Sequence, residues 1–202
     1  MSEKNKMLEG KLYMAHDEEL SQMANEAKRV MYLYNQTNEL DDSSRMELIR
    51  FIFKSTEEFF KIQPPIYFDY GKNISIGKNF YANHDCIFLD VNQIIIKDNV
   101  MFGPRVSIFT AGHPIDPDVR RTQLEFGTKV VIGNDTWIGG NVVINPGVTI
   151  GDRVVIGSGS VVTKDIPSDV IAFGNPCKVK RRITDEDKAY WEKKKAEYDQ
   201  TK

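Results

Sequence analysis

The chain has 202 residues, a formal net charge of −2 and a pI near 6.0, which suits one domain with short appendages. The charge balance argues against a nucleic-acid-binding protein, and no apolar run approaches the length of a membrane span. The opening stretch MSEKNKMLEGKLY lacks the apolar core of a signal peptide, and Cys86 and Cys177 lie in no metal or redox motif. We therefore expect a cytoplasmic protein with reduced thiols and with no membrane or nucleic-acid partner.

Two helices are predicted between residues 17 and about 60, inside a cap segment 1–62. Apolar residues recur there at helical spacing: Leu20, Met23, Ala24, Ala27, Val30, Met31 and Tyr34. Ser44 and, three residues later, Glu47 match a capping box and predict the start of the second helix. Pro64-Pro65 should end the helical segment, because proline cannot continue a helix. We expect these helices to cover the open end of the next element and to wall a functional site.

A six-residue repeat dominates the middle of the chain, segment 63–175. Aliphatic residues recur at Ile132, Ile138, Ile144, Ile150, Ile156 and Val162, and a second set follows at Thr136, Val142, Val148, Val154, Ser160 and Ile166. A period of six fits neither a helix nor a flat strand, but it fits a triangular solenoid with one short strand and one turn per side. The aliphatic residues should point inward. The glycines that follow four of them should sit at corners, where a left-handed backbone costs glycine little.

The repeat continues upstream with a fault. Ile96, Phe102 and Ile108 lie on the same six-residue spacing as Ile132, whereas Ile76, Ala82 and Phe88 are displaced from that spacing by two residues. The slip falls at residues 91–93, so the repeat extends from about residue 70 to about residue 166. The sequence therefore predicts a mainly β protein with helices at both ends.

One segment, 110–128, interrupts the repeat. It has no six-residue register, contains Pro114 and Pro117, and is long for a loop inside a compact repeat, which is typical of a functional loop. It carries His113, whose imidazole suits proton transfer near neutral pH. The alternative interpretation of His113 is a solvated turn residue.

Two other side chains are candidates for a site on the solenoid. Asn83 follows Tyr81 and Ala82, and its amide could position a hydroxyl group of a substrate; alternatively, it is a corner residue in the left-handed conformation. Trp137 projects near another corner, where it could form an exposed platform for a thioester arm or pack in an interface.

The last segment, 176–202, begins with a basic stretch and ends with a helix. Four cations stand within five residues: Lys178, Lys180, Arg181 and Arg182. Such a stretch is either a solvated face or a surface that binds phosphate groups. Thr184 and Asp187 predict the N-terminal cap of a charged C-terminal helix.

Several motifs together resemble the hexapeptide-repeat sugar O-acetyltransferases of the maltose and galactoside type. They are Tyr-Ala-Asn at 81–83, Phe-Leu-Asp at 88–90, Thr-Ala-Gly-His-Pro at 110–114, Asp-Thr-Trp-Ile-Gly-Gly at 135–140, Asn-Pro-Gly-Val-Thr-Ile-Gly at 145–151, Val-Thr-Lys-Asp-Ile-Pro at 162–167 and Gly-Asn-Pro-Cys at 174–177. The resemblance covers nearly the whole chain, including the N-terminal helical segment.

The resemblance implies a left-handed parallel β-helix, a homotrimer with active sites between subunits, and acetyl-CoA as the donor. It implies that His113 is the general base, taking a proton from a sugar hydroxyl, the 6-hydroxyl, as that oxygen attacks the thioester directly. A backbone N–H near Gly140 would stabilise the oxyanion. Some relatives have a serine at this position, whose hydroxyl Gly140 cannot supply.

The resemblance also implies the binding residues. Asp17, Asp69, Tyr81, Asn83 and Asp90 would contact the sugar; Asn83, Trp137, Gly140, Ser158, Thr163, Lys164, Lys178 and Arg181 would hold the acetyl-CoA. Relatives have an acidic residue just after a Lys-Leu-aromatic motif, but here residues 11–15 read Lys-Leu-Tyr-Met-Ala. Asp17 is the nearest substitute, which leaves the identity of the acceptor open. Glu125, at the end of the same loop, or a backbone carbonyl should orient the ring of His113.

Three rival interpretations remain. A metalloenzyme of the γ-class carbonic anhydrase type needs clustered histidines around zinc, whereas the solenoid contains only His84 and His113 and no close histidine pair, so no metal is expected. A non-catalytic scaffold would bind no coenzyme A. An acetyltransferase for a xenobiotic or another small hydroxyl acceptor would share the fold and the loop histidine, although such enzymes usually lack the N-terminal helices.

Overall fold

The computed structural model describes residues 1–38 and 41–201; residues 39, 40 and 202, parts of the predicted end segments, lie outside the described residues. The described helices are α1 (Glu3–Leu8), α2 (Glu18–Asn35), α3 (Asp42–Ile52), α4 (Pro117–Arg120) and α5 (Asp185–Asp199). The strands as far as the loop are β1 (Tyr13–Met14), β2 (Ser55–Thr56), β3 (Phe60–Ile62), β4 (Ile66–Phe68), β5 (Ile74–Ile76), β6 (Phe80–Ala82), β7 (Cys86–Leu89), β8 (Ile94–Ile96), β9 (Met101–Phe102) and β10 (Ser107–Phe109). The remaining strands are β11 (Ala111–Gly112), β12 (Leu124–Gly127), β13 (Val130–Ile132), β14 (Trp137–Ile138), β15 (Val143–Ile144), β16 (Thr149–Ile150), β17 (Val155–Ile156), β18 (Val161–Val162), β19 (Val170–Phe173) and β20 (Lys178–Arg182).

Three sheets form the sides of a triangular parallel β-helix. Their strand orders are β18-β15-β10-β7-β4, β16-β13-β8-β5-β2 and β20-β19-β17-β14-β9-β6-β3, with the terminal β19–β20 pair antiparallel. Consecutive strands of the chain therefore lie on consecutive sides, and each coil adds one parallel strand to each sheet. This arrangement confirms the predicted β-helix with helical segments at its ends.

The six-residue ladder lines the interior of the β-helix. The inward residues pair in register as Ile76, Ile96, Ile132 and Ile150 on one side, Ala82, Phe102, Ile138 and Ile156 on the next, and Phe88, Ile108, Ile144 and Val162 on the third. All of them are buried, as is the second ladder from Thr136 to Ile166. The predicted slip is confirmed, because Ile76 pairs with a residue 20 positions later and Ile132 with one 18 positions later.

The glycines after the inward residues have a different role from the predicted one. Gly133 and Gly151 are not left-handed; a Cβ atom on either would lie about 2.5 Å from the backbone or side chain of the next coil. The left-handed residues stand three positions after an inward residue instead: Asn79, Asp85, Asn99, Arg105, Asp135, Asn141, Gly147, Arg153, Gly159 and Asp169. Glycine is thus required by the close approach of stacked coils, whereas the corner conformation is adopted mainly by Asn, Asp and Arg.

The first coil begins earlier than the sequence indicates. Helix α3 ends at Ile52, and β2 and β3 already belong to the β-helix, so the prediction of helix as far as residue 60 was wrong. The predicted start of α3 was also wrong, because Asp41 is its N-cap and accepts a hydrogen bond from the backbone N–H of Ser44 at 3.0 Å. A strand of two residues, such as Ser55–Thr56, is too short to show the alternation of apolar and polar residues by which strands are recognised in a sequence.

The N-terminal helices cover the open end of the β-helix, as predicted. Ala27, Val30 and Tyr34 of α2 and Ile49 and Ile52 of α3 are buried in the same core as the inward residues of the coils. The Tyr34 hydroxyl donates to the backbone carbonyl of Ile62 at 2.6 Å. Capping is needed because the apolar interior would otherwise face water at the end of the prism.

The interrupting loop and the C-terminal segment each have their own structure. Between β10 and β13 the loop forms β11, α4 and β12. Strand β12 pairs with β11 on one side and with β1 of the N-terminal segment on the other, in a small antiparallel sheet of order β1-β12-β11. Thr184 is the N-cap of α5, and its backbone N–H donates to the Asp187 carboxylate at 2.9 Å, which confirms the predicted cap. The small sheet brings residues near the N-terminus against the loop that carries His113.

Candidate active site

A cavity of about 800 Å³ opens between helix α2, the end of strand β4 and the interrupting loop. Its lining is a mixture of polar and apolar side chains: Ala15, His16, Ser21, Ala24, Asn25, Lys28, Met31, Tyr67, Phe68, Asp69, Tyr70, Leu89, Val91, Ala111 and Glu125. The N-terminal helical segment therefore walls this cavity in addition to capping the β-helix. A concave, mixed surface beside a functional loop is where a small polar molecule would bind.

His113 directly follows β11, whose first residue, Ala111, lines this cavity. His113 therefore lies two positions along the chain from the cavity wall. The side chain is exposed, and it makes no hydrogen bond within the described part of the chain. An accessible imidazole at the edge of a polar cavity can take a proton from a bound hydroxyl group.

Glu125 lies on the central strand of the small sheet and lines the cavity. Its carboxylate accepts a hydrogen bond from the hydroxyl of Tyr13 at 3.0 Å. Burial, followed by the neighbouring charges, raises the pKa of Tyr13 far above its ordinary value, so this hydroxyl stays protonated and can donate. The sequence analysis did not single out Tyr13, since nothing in a lone aromatic residue near the N-terminus indicates a partner at position 125.

Asp69 lies at the end of β4 and lines the same cavity as Glu125. Burial, then the negative charge of Glu125, raises the pKa of Asp69 to about 6, while Lys28 of α2 opposes this shift. The sequence analysis also did not single out Lys28, because a lysine beside the apolar positions Ala24 and Met31 gives no sign of a partner on β4. The cavity thus contains two carboxylates and a cation contributed by three separate elements.

Asp90 and Asp17 were predicted to contact a sugar, and the structure gives both another role. Asp90 is fully buried and accepts backbone hydrogen bonds from Asp69, Tyr70 and Asn73 at 3.0, 2.8 and 3.2 Å. Asp17 is the N-cap of α2 and accepts from the backbone N–H groups at positions 19 and 20. Asp90 therefore holds the turn that carries Asp69, and Asp17 stabilises a helix end.

Asn83, Gly140 and Ser158 lie together at one corner of the β-helix, here named the Asn83 corner. The backbone N–H groups of Asn83, Gly103, Gly139 and Gly157 each bond to the next coil, which stacks them in a column. Ser158 packs directly against Gly139, and Gly140 accepts from Gly159 at 2.9 Å. Asn83 is not left-handed, which excludes the alternative interpretation given above. Its side chain instead accepts from the backbone N–H of His84 at 2.8 Å.

Two predicted aromatic residues stand beside the Asn83 corner. Tyr81 and Trp137 both pair with Met101, so the three side chains point outward in one column on the same sheet. Trp137 is 52% exposed and Met101 51% exposed. This apolar column is large for a surface in contact with water only, and it suits a ligand or another subunit.

Thr163 and Lys164 lie at a different corner, here named the Thr110 corner, from which the interrupting loop emerges. The backbone N–H of Thr110 donates to the carbonyl of Leu89 in the preceding coil. The backbone N–H of Asn145 donates to the carbonyl of Val162, the neighbour of Thr163. Strands β7, β10 and β15 separate this corner from the Asn83 corner. Because such strands rise about 3.3 Å per residue, the two groups of predicted residues lie roughly 10 Å or more apart within one chain.

The basic C-terminal residues lie on β20, at the edge of the seven-stranded sheet. Lys178 is exposed. The guanidinium of Arg181 donates to both carboxylate oxygens of Asp187, at 2.5 and 2.9 Å, and this partner lowers the pKa of Asp187 to about 2. Arg181 is thus held rigidly and partly neutralised, whereas Lys178 presents its full charge to solvent.

Comparison with known proteins gives matches over nearly the whole chain. The family "Bacterial transferase hexapeptide (six repeats)" matches residues 129–164, and the "Maltose acetyltransferase hexapeptide capping motif" matches residues 6–57. The galactoside O-acetyltransferase of Lactococcus lactis is 42% identical over 191 residues, covering 94% of this chain and 92% of that protein. The galactoside O-acetyltransferase of Escherichia coli is also 42% identical, with 90% of each chain covered.

Solved structures agree with these matches. A maltose O-acetyltransferase from Clostridium difficile superposes with a TM-score of 0.89 at 51% identity, covering 91% of this chain and 98% of that one. The chain belongs to the maltose and galactoside O-acetyltransferase family of hexapeptide-repeat proteins. A galactoside acetyltransferase solved in complex with coenzyme A superposes with a TM-score of 0.90 at 42% identity, covering 93% and 94% of the two chains.

The described residues give three further findings. Among residues 1–38 and 41–201, no three His, Cys, Asp or Glu side chains stand close enough together to hold a metal ion. The helices within these residues include none with the length and hydrophobicity of a transmembrane span. Both cysteines are buried and free, and burial raises the pKa of the Cys86 thiol to about 11, which makes it unreactive.

The raised pKa of Asp69 predicts a pH-dependent cost in stability. Between pH 3.8, the ordinary value, and about 6, the folded acetyltransferase binds more protons here than the unfolded chain, so stability falls as pH rises through this window. Replacing Asp69 by Asn should remove this cost and stabilise the protein by roughly 1–3 kcal/mol at pH 7.5. The gain should shrink toward pH 4, as thermal unfolding at both pH values would reveal. Equal or lower stability of Asp69→Asn at pH 7.5 would contradict this prediction.

Proposed function

We propose that this chain transfers an acetyl group from acetyl-CoA to a hydroxyl group of a sugar of the maltose, glucose or galactoside type. The observation that carries the proposal is the accessible imidazole of His113 on the interrupting loop, two residues after Ala111 of the polar cavity. The relatives named maltose and galactoside O-acetyltransferases, and the one bound to coenzyme A, support the same reaction class.

In the proposed reaction His113 accepts the proton of the sugar hydroxyl, the 6-hydroxyl, as its oxygen attacks the thioester carbonyl carbon. The tetrahedral intermediate then collapses, the C–S bond breaks, and the proton passes from the imidazolium to the leaving thiolate. The backbone N–H of Gly140 makes no hydrogen bond within the described residues, so it is available to the developing oxyanion. Direct attack suffices because the thioester is already activated.

The acceptor is proposed to bind in the cavity, with Asp69 as its main polar contact. Asp69 is accessible there, whereas Asp90 is buried and Asp17 is engaged as a helix cap. The stretch after Tyr13 contributes Ala15 and His16 to the lining, which supplies no carboxylate where relatives have one. The identity of the sugar therefore rests on Asp69, Glu125 and Lys28, and a xenobiotic hydroxyl acceptor is the second candidate.

The donor is proposed to lie along the Asn83 corner. Trp137, Gly140 and Ser158 present an exposed aromatic surface and accessible polar groups along one column, which suits the pantetheine arm. Thr163, Lys164, Lys178 and Arg181 would bind the phosphate groups and the adenine end of the coenzyme. Of the cations, Lys178 is the better phosphate partner, because Arg181 already pairs with Asp187.

We propose that the active site lies between subunits of a homotrimer. His113 extends from the Thr110 corner, whereas Asn83 and Gly140 belong to the Asn83 corner and Trp137 stands beside it, and one side of the β-helix separates the two corners. A second copy that brings its Asn83 corner against the loop of the first would complete the site. The exposed column of Tyr81, Met101 and Trp137 would then be buried in that interface.

The experiment that tests the proposal measures thiol release from acetyl-CoA in the presence of maltose, glucose, galactosides or chloramphenicol. We expect release that depends on a sugar and saturates with its concentration. Release only with chloramphenicol would support the xenobiotic alternative. Lack of release with every acceptor, together with no binding of coenzyme A in calorimetry, would favour the non-catalytic scaffold and overturn the proposal.

A further inference from the structure

Buried Tyr13 pairs with half-buried Glu125, which belongs to the same loop as His113. They stand directly opposite each other in the β1–β12 ladder, and the Tyr13 hydroxyl donates to Glu125 Oε2 at 3.0 Å. Tyr13 is 0% exposed, so its hydroxyl needs a partner inside the protein. The partner it has is a carboxylate that also faces the cavity.

The register of the small sheet continues this pair toward His113. In the β11–β12 ladder Ala111 lies opposite Gly127 and Gly112 opposite Phe126. The ladder ends there, and His113 is the next residue; continued by one position, this register would bring His113 opposite Glu125. Residues that face each other across an antiparallel ladder project on the same side of the sheet. In the continued register Tyr13, Glu125 and His113 would lie in one row, with the carboxylate in the middle.

We propose that Tyr13 is a positioning residue: its hydroxyl holds the Glu125 carboxylate where that carboxylate orients the His113 imidazole. This inference rests on the proposed function, in which His113 is the general base. A carboxylate that is free to turn into the cavity would leave the ring without a fixed orientation. Tyr13 thereby links the N-terminal cap segment to the chemistry on the loop.

Other charged groups also face Glu125. Asp69, from the end of β4, repels it across the cavity, and Lys28 of α2 lies close enough to act on Asp69. Tyr70 packs in the same cluster, where burial, then the charges of Asp69 and Glu125, raises its pKa to about 12. The hydrogen bond from Tyr13 thus keeps Glu125 in place against the repulsion from Asp69.

The test compares wild type with Tyr13→Phe, Glu125→Gln and the double variant in the sugar-dependent assay. We expect Tyr13→Phe to lower kcat by about 5- to 30-fold with the KM for acetyl-CoA unchanged, because orientation is lost but the donor site is intact. Glu125→Gln should lower kcat at least as much. The double variant should be no slower than Glu125→Gln within about twofold, because both substitutions remove one interaction.

The pH profile separates positioning from a structural effect. A carboxylate beside an imidazole favours the imidazolium, so a Glu125 carboxylate that orients the ring should hold the acid limb of the kcat/KM profile at higher pH, and Glu125→Gln should move that limb to lower pH. Tyr13→Phe should move it part of the way. As a matched control, Tyr34→Phe removes a buried hydroxyl that donates at 2.6 Å in the cap, far from the loop. It should lower the melting temperature similarly and leave kcat and the pH profile unchanged.

Three results would overturn the inference: Tyr13→Phe with wild-type kcat, fold-losses that multiply in the double variant, or an equal loss of kcat in Tyr34→Phe. If wild type shows no acetyl transfer, the proposed function fails separately. The His113 imidazole can still be titrated by NMR in that case. A pKa of His113 that falls in Glu125→Gln and partly in Tyr13→Phe would support the pairing, and an unchanged pKa in both would overturn it.

Discussion

Replacing His113 by alanine should lower the turnover of acetyl-CoA by about 10²–10⁴-fold, since that is the usual contribution of a positioned general base. The protein should fold normally, because the side chain is exposed and is not part of the core. The measurement is thiol release at saturating sugar, together with thermal unfolding of both proteins. The KM for acetyl-CoA should change little, since the proposed donor groups lie on the β-helix and on β20.

The control for this variant is Ile115→Ala. Ile115 is 94% exposed and lies in the same loop, so its truncation perturbs the loop without removing an acid–base group. It should retain most of the wild-type turnover. A His113→Ala protein that keeps more than about a tenth of wild-type turnover would remove His113 from the role of general base.

Replacing Ile144 by alanine should destabilise the protein by about 2–5 kcal/mol. Ile144 is 0% exposed and stands between Ile108 and Val162 in the stack of inward residues. Its truncation leaves a cavity between coils that are closely stacked, where little relaxation is available. Thermal or urea unfolding would detect the change as a large fall in the midpoint.

The matched control is Thr149→Ala, at an exposed outward position on strand β16. Its effect should stay within about 1 kcal/mol, because an exposed substitution removes little buried surface. An Ile144→Ala protein with an unchanged midpoint would contradict the inward register. Comparable losses of unfolding free energy in both variants would indicate that strand propensity stabilises the β-helix more than packing of its interior does.

The candidate site residues were predicted where a motif and a position in the repeat coincide. His113 lies on the long interruption of a regular repeat, Gly140 lies at a corner, and Trp137 lies on the strand just before that corner. Asp90 was assigned to the sugar from its motif, yet it is fully buried beneath the turn at Asp69. A motif identifies a residue type at a position, but whether a carboxylate there is buried depends on which backbone N–H groups the fold brings to it.

The β-helix follows from local sequence alone, because each six-residue repeat specifies one inward aliphatic residue and one turn on every side of the solenoid. The C-terminal cap at Thr184 is equally local, since it depends on residues three positions apart. The composition of the cavity, in contrast, depends on the tertiary structure. Tyr13 and Glu125 are 112 positions apart, and Lys28 and Asp69 belong to different elements, so no local pattern connects them. They meet because an antiparallel ladder joins the N-terminal segment to the loop, and such a pairing between distant segments is set by packing rather than by spacing.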